Sequence, residues 1–199
     1  LHHSLMELAQ NRGPGGCGYL FEVRTSSEVL FSDCVARKGR HNFIQNWGFD
    51  TTGCVWLRCF SSGGLSVPLQ AFPEIGGRGY SEFHHSLATA NLIDSCTFND
   101  GWKAVNRQDW STGAGHTATQ NVFWNNGGTG RLVSRQYGQG YVIGSEPELE
   151  IATTLTTGIG NKEAAGTAPE DYTEGLGLGE TLEPSSLFDA QLGLRIQEP

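Results

Sequence analysis

Apolar and polar positions alternate over short stretches of this chain, and most stretches end in a turn rich in Gly, Asn or Asp. The pattern is clearest between residues 80 and 144, for example in NLIDSCTFND (91–100) and TQNVFWNN (119–126). Alternation over about four to eight residues is typical of β-strands with one buried face. No apolar run approaches the ~20 residues of a membrane-spanning helix. The pattern predicts an all-β chain of many short strands without a membrane span.

Two of these stretches resemble each other. VLFSDCVA (29–36) and VWLRCFSS (55–62) align when Cys34 is placed on Cys59. A repeat of this length is the signature of a solenoid, in which each coil buries its inner side chains against the next coil. We therefore predict coils of roughly 25 residues, the spacing of the two cysteines.

A third cysteine extends the repeat. Cys96 follows Cys59 at a longer spacing, which equals one coil and an insertion, and the Gly/Pro-rich loop 62–79 is well placed to hold that insertion. A further step of one coil leads from Cys96 to Asn121. Small and amide side chains would then recur at one position, where like groups can hydrogen-bond along the stack.

The periodicity fades after Gly144. We predict a β-helix domain over residues 1–144, and an acidic extended arm with a capping or subunit-contact segment over residues 145–199. Because exposed strand edges need cover, we expect missing coils or another protein chain at the N-terminal end. A short helix is predicted near the C-terminus. Pro184 suits its first turn, and a helical stripe follows: Leu187, Phe188, Gln191, Leu192 and Arg195 or Ile196.

The rungs NLIDSCTFND and TQNVFWNN, both rich in Asn and Asp at their ends, resemble those of the right-handed parallel β-helix proteins, the pectin-lyase-like superfamily. The blocks RHNFIQ, HHSL and GAGHTATQ also resemble a group of uncharacterised bacterial extracellular β-helix proteins. The resemblance covers residues 17–144. It implies a right-handed parallel β-helix, an extracellular or cell-surface location and a polysaccharide partner. The fold hosts lyases, hydrolases, adhesins and inert spikes, so the activity depends on the site.

The resemblance also implies a reaction class. Polysaccharide lyases of this superfamily use a Lys or Arg as base, often with Ca²⁺ or a basic residue that neutralises the uronate carboxylate. The glycosidases use a pair of carboxylates, and no clustered Asp pair of that kind stands in this sequence. A lyase that acts on an acidic polysaccharide is therefore favoured over a glycosidase.

The charge balance and the motifs restrict the partners. The chain has 21 Asp and Glu against 13 Lys and Arg, a net charge of −8, whereas nucleic acids and anionic membranes attract positive fields. We expect no nucleic-acid partner. The five cysteines have no zinc-finger spacing, so buried thiols are favoured and a Cys54–Cys59 disulfide stays open. Without an HxH or HExxH motif, no metal site and no cofactor are predicted, although Ca²⁺ can bind loop oxygens.

Two tryptophans flank the polar run GWKAVNRQDW (101–110), and aromatic rings beside polar groups suit stacking against sugars. A solvated turn with packed tryptophans would look the same. The candidate catalytic residues are Lys103, Arg107, His84, His85 and His116. The candidate substrate-binding residues are Arg40, His41, Trp102, Asp109 and Trp110.

The repeat predicts neighbours among these residues. Corresponding positions place His41 beside Lys103, and Gln45 beside Arg107. Because successive side chains of a strand point to opposite faces, His84 and the next residue, His85, should not both face one groove.

Two functions fit the sequence. The first is an extracellular carbohydrate-associated protein with lyase chemistry through Lys103, Arg107 and a histidine. The second is a non-catalytic structural or adhesive subunit of a surface or multi-chain assembly. Convergence of the candidate residues on one groove would favour the first.

Overall fold

The computed structural model describes residues 5–6, 18–49, 51–66, 77–85, 87–107, 117–153 and 169–197. Within these ranges the regular structure is almost entirely β. The strands, in chain order, are β1 Leu5–Met6, β2 Tyr19–Val23, β3 Leu30–Ser32, β4 Val35–Arg37, β5 His41–Gln45, β6 Val55–Leu57, β7 Phe60–Ser62, β8 Leu65–Ser66, β9 Gly77–Arg78, β10 Ser81–Phe83, β11 Ala88–Thr89, β12 Leu92–Asp94, β13 Thr97–Phe98, β14 Gly101–Val105, β15 Ala118–Thr119, β16 Val122–Asn126, β17 Arg131–Arg135, β18 Tyr141–Ser145, β19 Glu150–Ala152 and β20 Tyr172–Glu174.

Three larger sheets are built from these strands, and every pairing within them is parallel. Sheet A has the order β20-β18-β16-β12-β6-β3, sheet B the order β19-β17-β14-β10-β5-β2, and sheet C the order β1-β4-β7-β13. Strands β11 and β15 form a small parallel pair, and β8 and β9 form an antiparallel pair. The prediction of a mainly β chain is confirmed, and its larger sheets are parallel.

The strand register tests the spacing of the repeat directly. Phe31 pairs with Trp56, which is the spacing of Cys34 and Cys59, and Trp56 pairs with Ile93, which is the spacing of Cys59 and Cys96. The first step and the step with the insertion are therefore confirmed. The last step is wrong, because Ile93 pairs with Phe123, five positions further on than one coil. The extra residues fall between β14 and β15.

Left-handed residues mark one corner of each successive turn. At the corner between sheets A and C, four aligned residues have φ between 49° and 55°: Asp33, Arg58, Ser95 and Asn125. A left-handed conformation costs a non-glycine residue about 1 kcal/mol. The cost recurs at one position in four turns because each corner must bend the chain in the same way.

The next residue in each turn is buried and small or amide-bearing. These residues are Cys34, Cys59, Cys96 and Asn126. The backbone N–H of Cys59 donates to Cys96 Sγ at 3.3 Å, and that of Cys96 donates to Asn126 Oδ1 at 3.0 Å. Asn126, not Asn121, therefore continues the cysteine column. The predicted buried thiols are confirmed for Cys34, Cys54, Cys59 and Cys96, and the open Cys54–Cys59 disulfide does not form.

Stacked aromatic side chains fill the space between the sheets. Phe31 and Trp56, which pair in register on sheet A, stack with ring centroids 5.5 Å apart. Phe21 and Phe43 stack in the same way on sheet B, at 5.1 Å. Trp102 on β14 is fully buried and contacts rings from several strands. Burying one large apolar side chain of this kind contributes about 1.5–3 kcal/mol to the free energy of folding.

The strands continue across the boundary predicted at Gly144. Strand β18 crosses this residue, and β19 and β20 add one strand each to sheets B and A. A short 3₁₀ turn follows at Gly179–Thr181, and helix α1 spans Leu187–Gln197. The predicted helix is confirmed, but Pro184 lies before its first turn. Ser186 takes the capping position instead, because its Oγ accepts from Asp189 N at 3.2 Å.

The segment leading into α1 crosses the outer face of sheet A. It passes from β16 to β12, and the start of the helix reaches the β6 side at Arg58. Its contacts are Trp124 Nε1 to Pro184 O (2.9 Å), Asn125 Nδ2 to Ser185 O (2.9 Å), Phe188 N to Asp94 Oδ2 (2.7 Å) and Arg58 to Asp189 (2.8 Å). This part of the chain lies along the side of the sheet rather than over its end. The described residues contain no helix with the length and apolar character of a membrane span.

Candidate functional site

The outer face of sheet B carries a group of charged and aromatic side chains. On β10, Ser81 and Phe83 point into the core, so Glu82 between them points to the outer face. The register places Glu82 between Ile44 of β5 and Lys103 of β14. Although it is on the outer face, Glu82 is only 7% exposed, because other side chains close over it.

Two histidines approach this carboxylate. His41 Nε2 lies 3.3 Å from Glu82 Oε1, and His84 Nδ1 contacts the same oxygen. His41 and His84 are also buried. One ligand-type atom from each of the three residues lies within 4.8 Å of the other two. Among the described residues, this group has the composition of a metal site. No sequence motif joins its members, because His41 lies on β5, far along the chain from Glu82 and His84.

Arg107 completes the cluster on one side. Its NH1 lies 2.7 Å from His84 Nδ1 and 3.5 Å from Glu82 Oε1. Burial alone would raise the pKa of Glu82, but the charge of His41, the hydrogen bond from His84 and the charge of Arg107 outweigh it. Together they hold the pKa of the carboxyl well below its ordinary value, so Glu82 is ionised.

A backbone carbonyl orients His41. His41 Nδ1 lies 2.5 Å from the carbonyl oxygen of Tyr80, and since a carbonyl only accepts, Nδ1 carries a proton. Burial lowers the pKa of His41, and the carboxylate of Glu82 opposes that shift. The ring thus directs Nε2 to Glu82.

Five rings form a continuous row across this face. Tyr19 contacts His41 with centroids 5.3 Å apart, His41 contacts His84 at 5.5 Å, and His84 contacts His85 at 4.4 Å. Trp47 lies flat on His85, with centroids 4.1 Å apart and ring planes 12° apart. The two ends are open to solvent, Tyr19 at 37% and Trp47 at 47% exposure.

Lys103 borders the row, and His85 lies within it. Lys103 is half-buried, and its Nζ lies 4.3 Å from the ring centroid of Tyr80. His85 is buried, and burial, with help from the charges of His84 and Arg107, lowers its pKa to about 4. His85 is therefore a neutral imidazole at pH 7.

The structure brings together four of the predicted site residues: His41, His84, His85 and Arg107. Arg40 is half-buried, and its charge contributes to the lowered pKa of His41. Asp109, Trp110 and His116 lie outside the described residues. Sequence reasoning missed Glu82, Trp47 and Tyr19. A carboxylate two residues before His84 in the sequence was the available signal for Glu82.

Several detailed predictions are wrong. Trp102 is fully buried in the core and cannot stack on a substrate. Gln45 is also fully buried, with its Nε2 donating to His85 O at 2.7 Å, and Lys103 is level with Ile44 rather than His41. His84 and His85 do not point to opposite faces, because both follow the end of β10, where strand alternation stops.

Comparison of the chain with protein-family models, with curated proteins and with solved structures finds no significant match.

Proposed function

We propose that this chain is a right-handed parallel β-helix of the pectin-lyase-like type, with coils of about 25 residues. We propose further that it is an extracellular or cell-surface protein that associates with an acidic polysaccharide. Three parallel sheets, stacked columns of equivalent residues and repeated left-handed corners support the fold. The outer face of sheet B supports the function.

One observation carries the proposed function: Trp47 forms an aromatic platform beside a charged cluster. One face of its indole is covered by His85, yet the residue remains 47% exposed, so its other face is available. Flat aromatic surfaces of this kind suit the apolar faces of sugar rings. Arg107 and Lys103, on the same side of sheet B, are cations suited to the carboxylates of uronic acids.

The same residues suit β-elimination from a uronate. In such a step a cation neutralises the C6 carboxylate and a base takes the C5 proton. The C5–H electron pair forms the C4=C5 double bond as the C4–O4 bond breaks, and the departing O4 leaves as a hydroxyl after it takes a proton from the protonated base or from solvent. Neither water nor a redox partner is consumed. We assign carboxylate neutralisation to Arg107 and the base to Lys103, with His85 as the neutral imidazole beside them. A correctly positioned general base typically raises the rate of such a step about 10²–10⁴-fold.

A second function is favoured by a different observation. The terminal strand of sheet B and its neighbourhood form a groove of about 500 Å³. Its lining is mixed: the apolar residues are Leu20, Phe21, Val23, Val29 and Phe31, and the polar ones are Glu22, Arg24 and Ser26. A groove at the end of the sheets is suited to contact with another chain. The alternative is therefore a non-catalytic structural or adhesive subunit whose N-terminal end meets a neighbour.

Titration with polyuronates tests the carbohydrate proposal. We expect Trp47→Ala to weaken binding about three- to tenfold, because aromatic contacts contribute about 0.5–1.5 kcal/mol, and Lys103→Ala to abolish cleavage while the far-ultraviolet circular dichroism stays unchanged. The matched control is Tyr172→Ala on sheet A, since Tyr172 is also 47% exposed.

The outcomes separate three conclusions. Binding that depends on Trp47 without any appearance of unsaturated product would retain carbohydrate association and remove the lyase. Cleavage that persists in Lys103→Ala would remove Lys103 as the base. If neither polyuronate binding nor cleavage is detected, the carbohydrate proposal fails and the assembly subunit becomes the better account.

A further inference from the structure

We propose that His41, Glu82 and His84 together bind one divalent metal ion of the kind that prefers histidine ligands, such as Zn²⁺. The proposal stands on the geometry of these side chains and does not depend on the polysaccharide. It concerns the protein alone.

The first argument is the unpartnered nitrogen of His41. Its Nδ1 proton is given to the carbonyl of Tyr80 at 2.5 Å, so Nε2 is the atom that holds either the proton that gives His41 its charge or, in place of that proton, a metal ion. That atom is buried, lies 3.3 Å from Glu82 Oε1 and has no hydrogen-bond partner. A lone pair facing a buried carboxylate oxygen is unfavourable unless a positive charge stands between them.

The second argument is the spacing. Ligand atoms bound about 2.0–2.2 Å from a tetrahedral zinc ion lie about 3.4 Å from one another. His41 Nε2 and Glu82 Oε1 are 3.3 Å apart, so these two atoms already have the separation that an ion requires. His84 Nδ1 contacts the same oxygen and must move away from it to make room for the ion.

The third argument is the chemistry of the donors. Two imidazole nitrogens and one carboxylate oxygen suit Zn²⁺ and its neighbours, whereas Ca²⁺ takes oxygen ligands. Metal-binding histidines commonly donate their second ring N–H to a carbonyl or carboxylate, which holds the ring in place. Tyr80 O does this for His41. Three protein ligands also leave a fourth position for water or another small ligand.

Arg107 makes the proposal sharper, because its guanidinium competes with the ion. NH1 lies 2.7 Å from His84 Nδ1 and 3.5 Å from Glu82 Oε1, next to two of the three ligands. A cation there repels a divalent ion and must turn away when the ion binds. Removing this charge should therefore strengthen metal binding, whereas removing a ligand should weaken it.

The experiment is calorimetric titration of chelator-treated protein with Zn²⁺, without polysaccharide. We expect one ion per chain. His41→Gln and Glu82→Gln should each weaken binding at least about tenfold, since even the partners of metal ligands are worth that much. Arg107→Gln should strengthen it about tenfold by removing the nearby charge. The matched control is Glu22→Gln, which removes a carboxylate from β2 of the same sheet and should change nothing.

A second measurement covers the case in which a ligand variant folds poorly. Zn²⁺ should raise the unfolding temperature of the wild-type protein, because an ion that binds only the folded state stabilises it, and it should not raise that of Glu82→Gln. Co²⁺ should give the visible spectrum of a tetrahedral nitrogen–oxygen site in the wild-type protein.

Three results would overturn the proposal. The first is no Zn²⁺ binding by the wild-type protein, which would leave a proton as the occupant between His41 and Glu82. The second is binding that is undiminished in both His41→Gln and Glu82→Gln, which would place the ion elsewhere. The third is Ca²⁺ bound in preference to Zn²⁺. If His41→Gln or Glu82→Gln loses metal binding but still binds polyuronate, the metal site is independent of the proposed carbohydrate function.

Discussion

Individual buried carboxylates show how this chain satisfies polar groups inside a β fold. Asp171 is 6% exposed and accepts from the backbone N–H of Gly140 at 2.9 Å and of Gln136 at 3.1 Å, and from Ser134 Oγ at 2.6 Å. Burial raises the pKa of Asp171, and these hydrogen bonds oppose the shift without reversing it. The protonated carboxyl is therefore relatively favoured in the folded state.

A pH series on Asp171→Asn tests this balance. Since the folded pKa is raised, Asp171 contributes its full stability below the ordinary value of 3.8 and loses it as the pH rises through the folded value. We expect the stability of the wild-type protein relative to Asp171→Asn to be highest at low pH and to fall as the pH rises. Each unit of raised pKa corresponds to about 1.4 kcal/mol. Urea unfolding at each pH measures the difference. A difference that grows with pH would mean that hydrogen bonding outweighs burial.

Among the elements, helix α1 depends on an anchor more than on its apolar face. The predicted helical stripe begins with half-buried Leu187 and Phe188, but Leu192 is 42% and Ile196 is 73% exposed. Asp94 on β12 accepts from Phe188 N at 2.7 Å and from Ser186 Oγ at 2.9 Å. An isolated helix of 11 residues is marginal in water, so this anchor holds the helix in place.

Replacing the anchor should release the helix alone. Asp94→Ala removes the acceptor of the first-turn N–H, and such caps contribute about 1 kcal/mol. We expect hydrogen exchange to speed up about five- to tenfold in α1 and to stay unchanged in β16. The control is Asp189→Ala, which breaks an exposed ion pair with Arg58 and should have a smaller effect. Equal effects of the two variants would show that the anchor is not Asp94.

For the whole molecule, the ends of the sheets are the surfaces at which another chain could add. Sheets A and B end in β3 and β2 at one end and in β20 and β19 at the other. The groove beside β2 favours contact with another chain, while the outer face of sheet B needs no partner to form its cluster.

Native mass measurement decides between these two accounts at the molecular scale. The carbohydrate proposal needs only the face of one chain, so we expect a monomer that persists on dilution. An oligomer that survives dilution would contradict this expectation and favour the assembly subunit. Addition of polyuronate should not change the mass beyond that of the bound sugar.

The sequence by itself determined the strands and the early repeat. The alternation of apolar and polar residues and the recurrence of Cys34, Cys59 and Cys96 can be read directly from the sequence. The pattern within a single strand is enough to indicate which of its faces is buried. The terminal helix was predictable for the same reason. Its start was not, because the choice between Pro184 and Ser186 depends on the contact with Asp94.

Only the tertiary structure decided the register and the site. The step from Cys96 to Asn126 includes extra residues between β14 and β15 that no periodicity reveals. The meeting of His41 with Glu82 depends on how β5 and β10 pair, and the burial of Trp102 depends on rings from several strands. The pairing of distant strands depends on how their side chains pack against one another across the sheets. Because these contacts join residues far apart in the sequence, no single stretch of the chain predicts them.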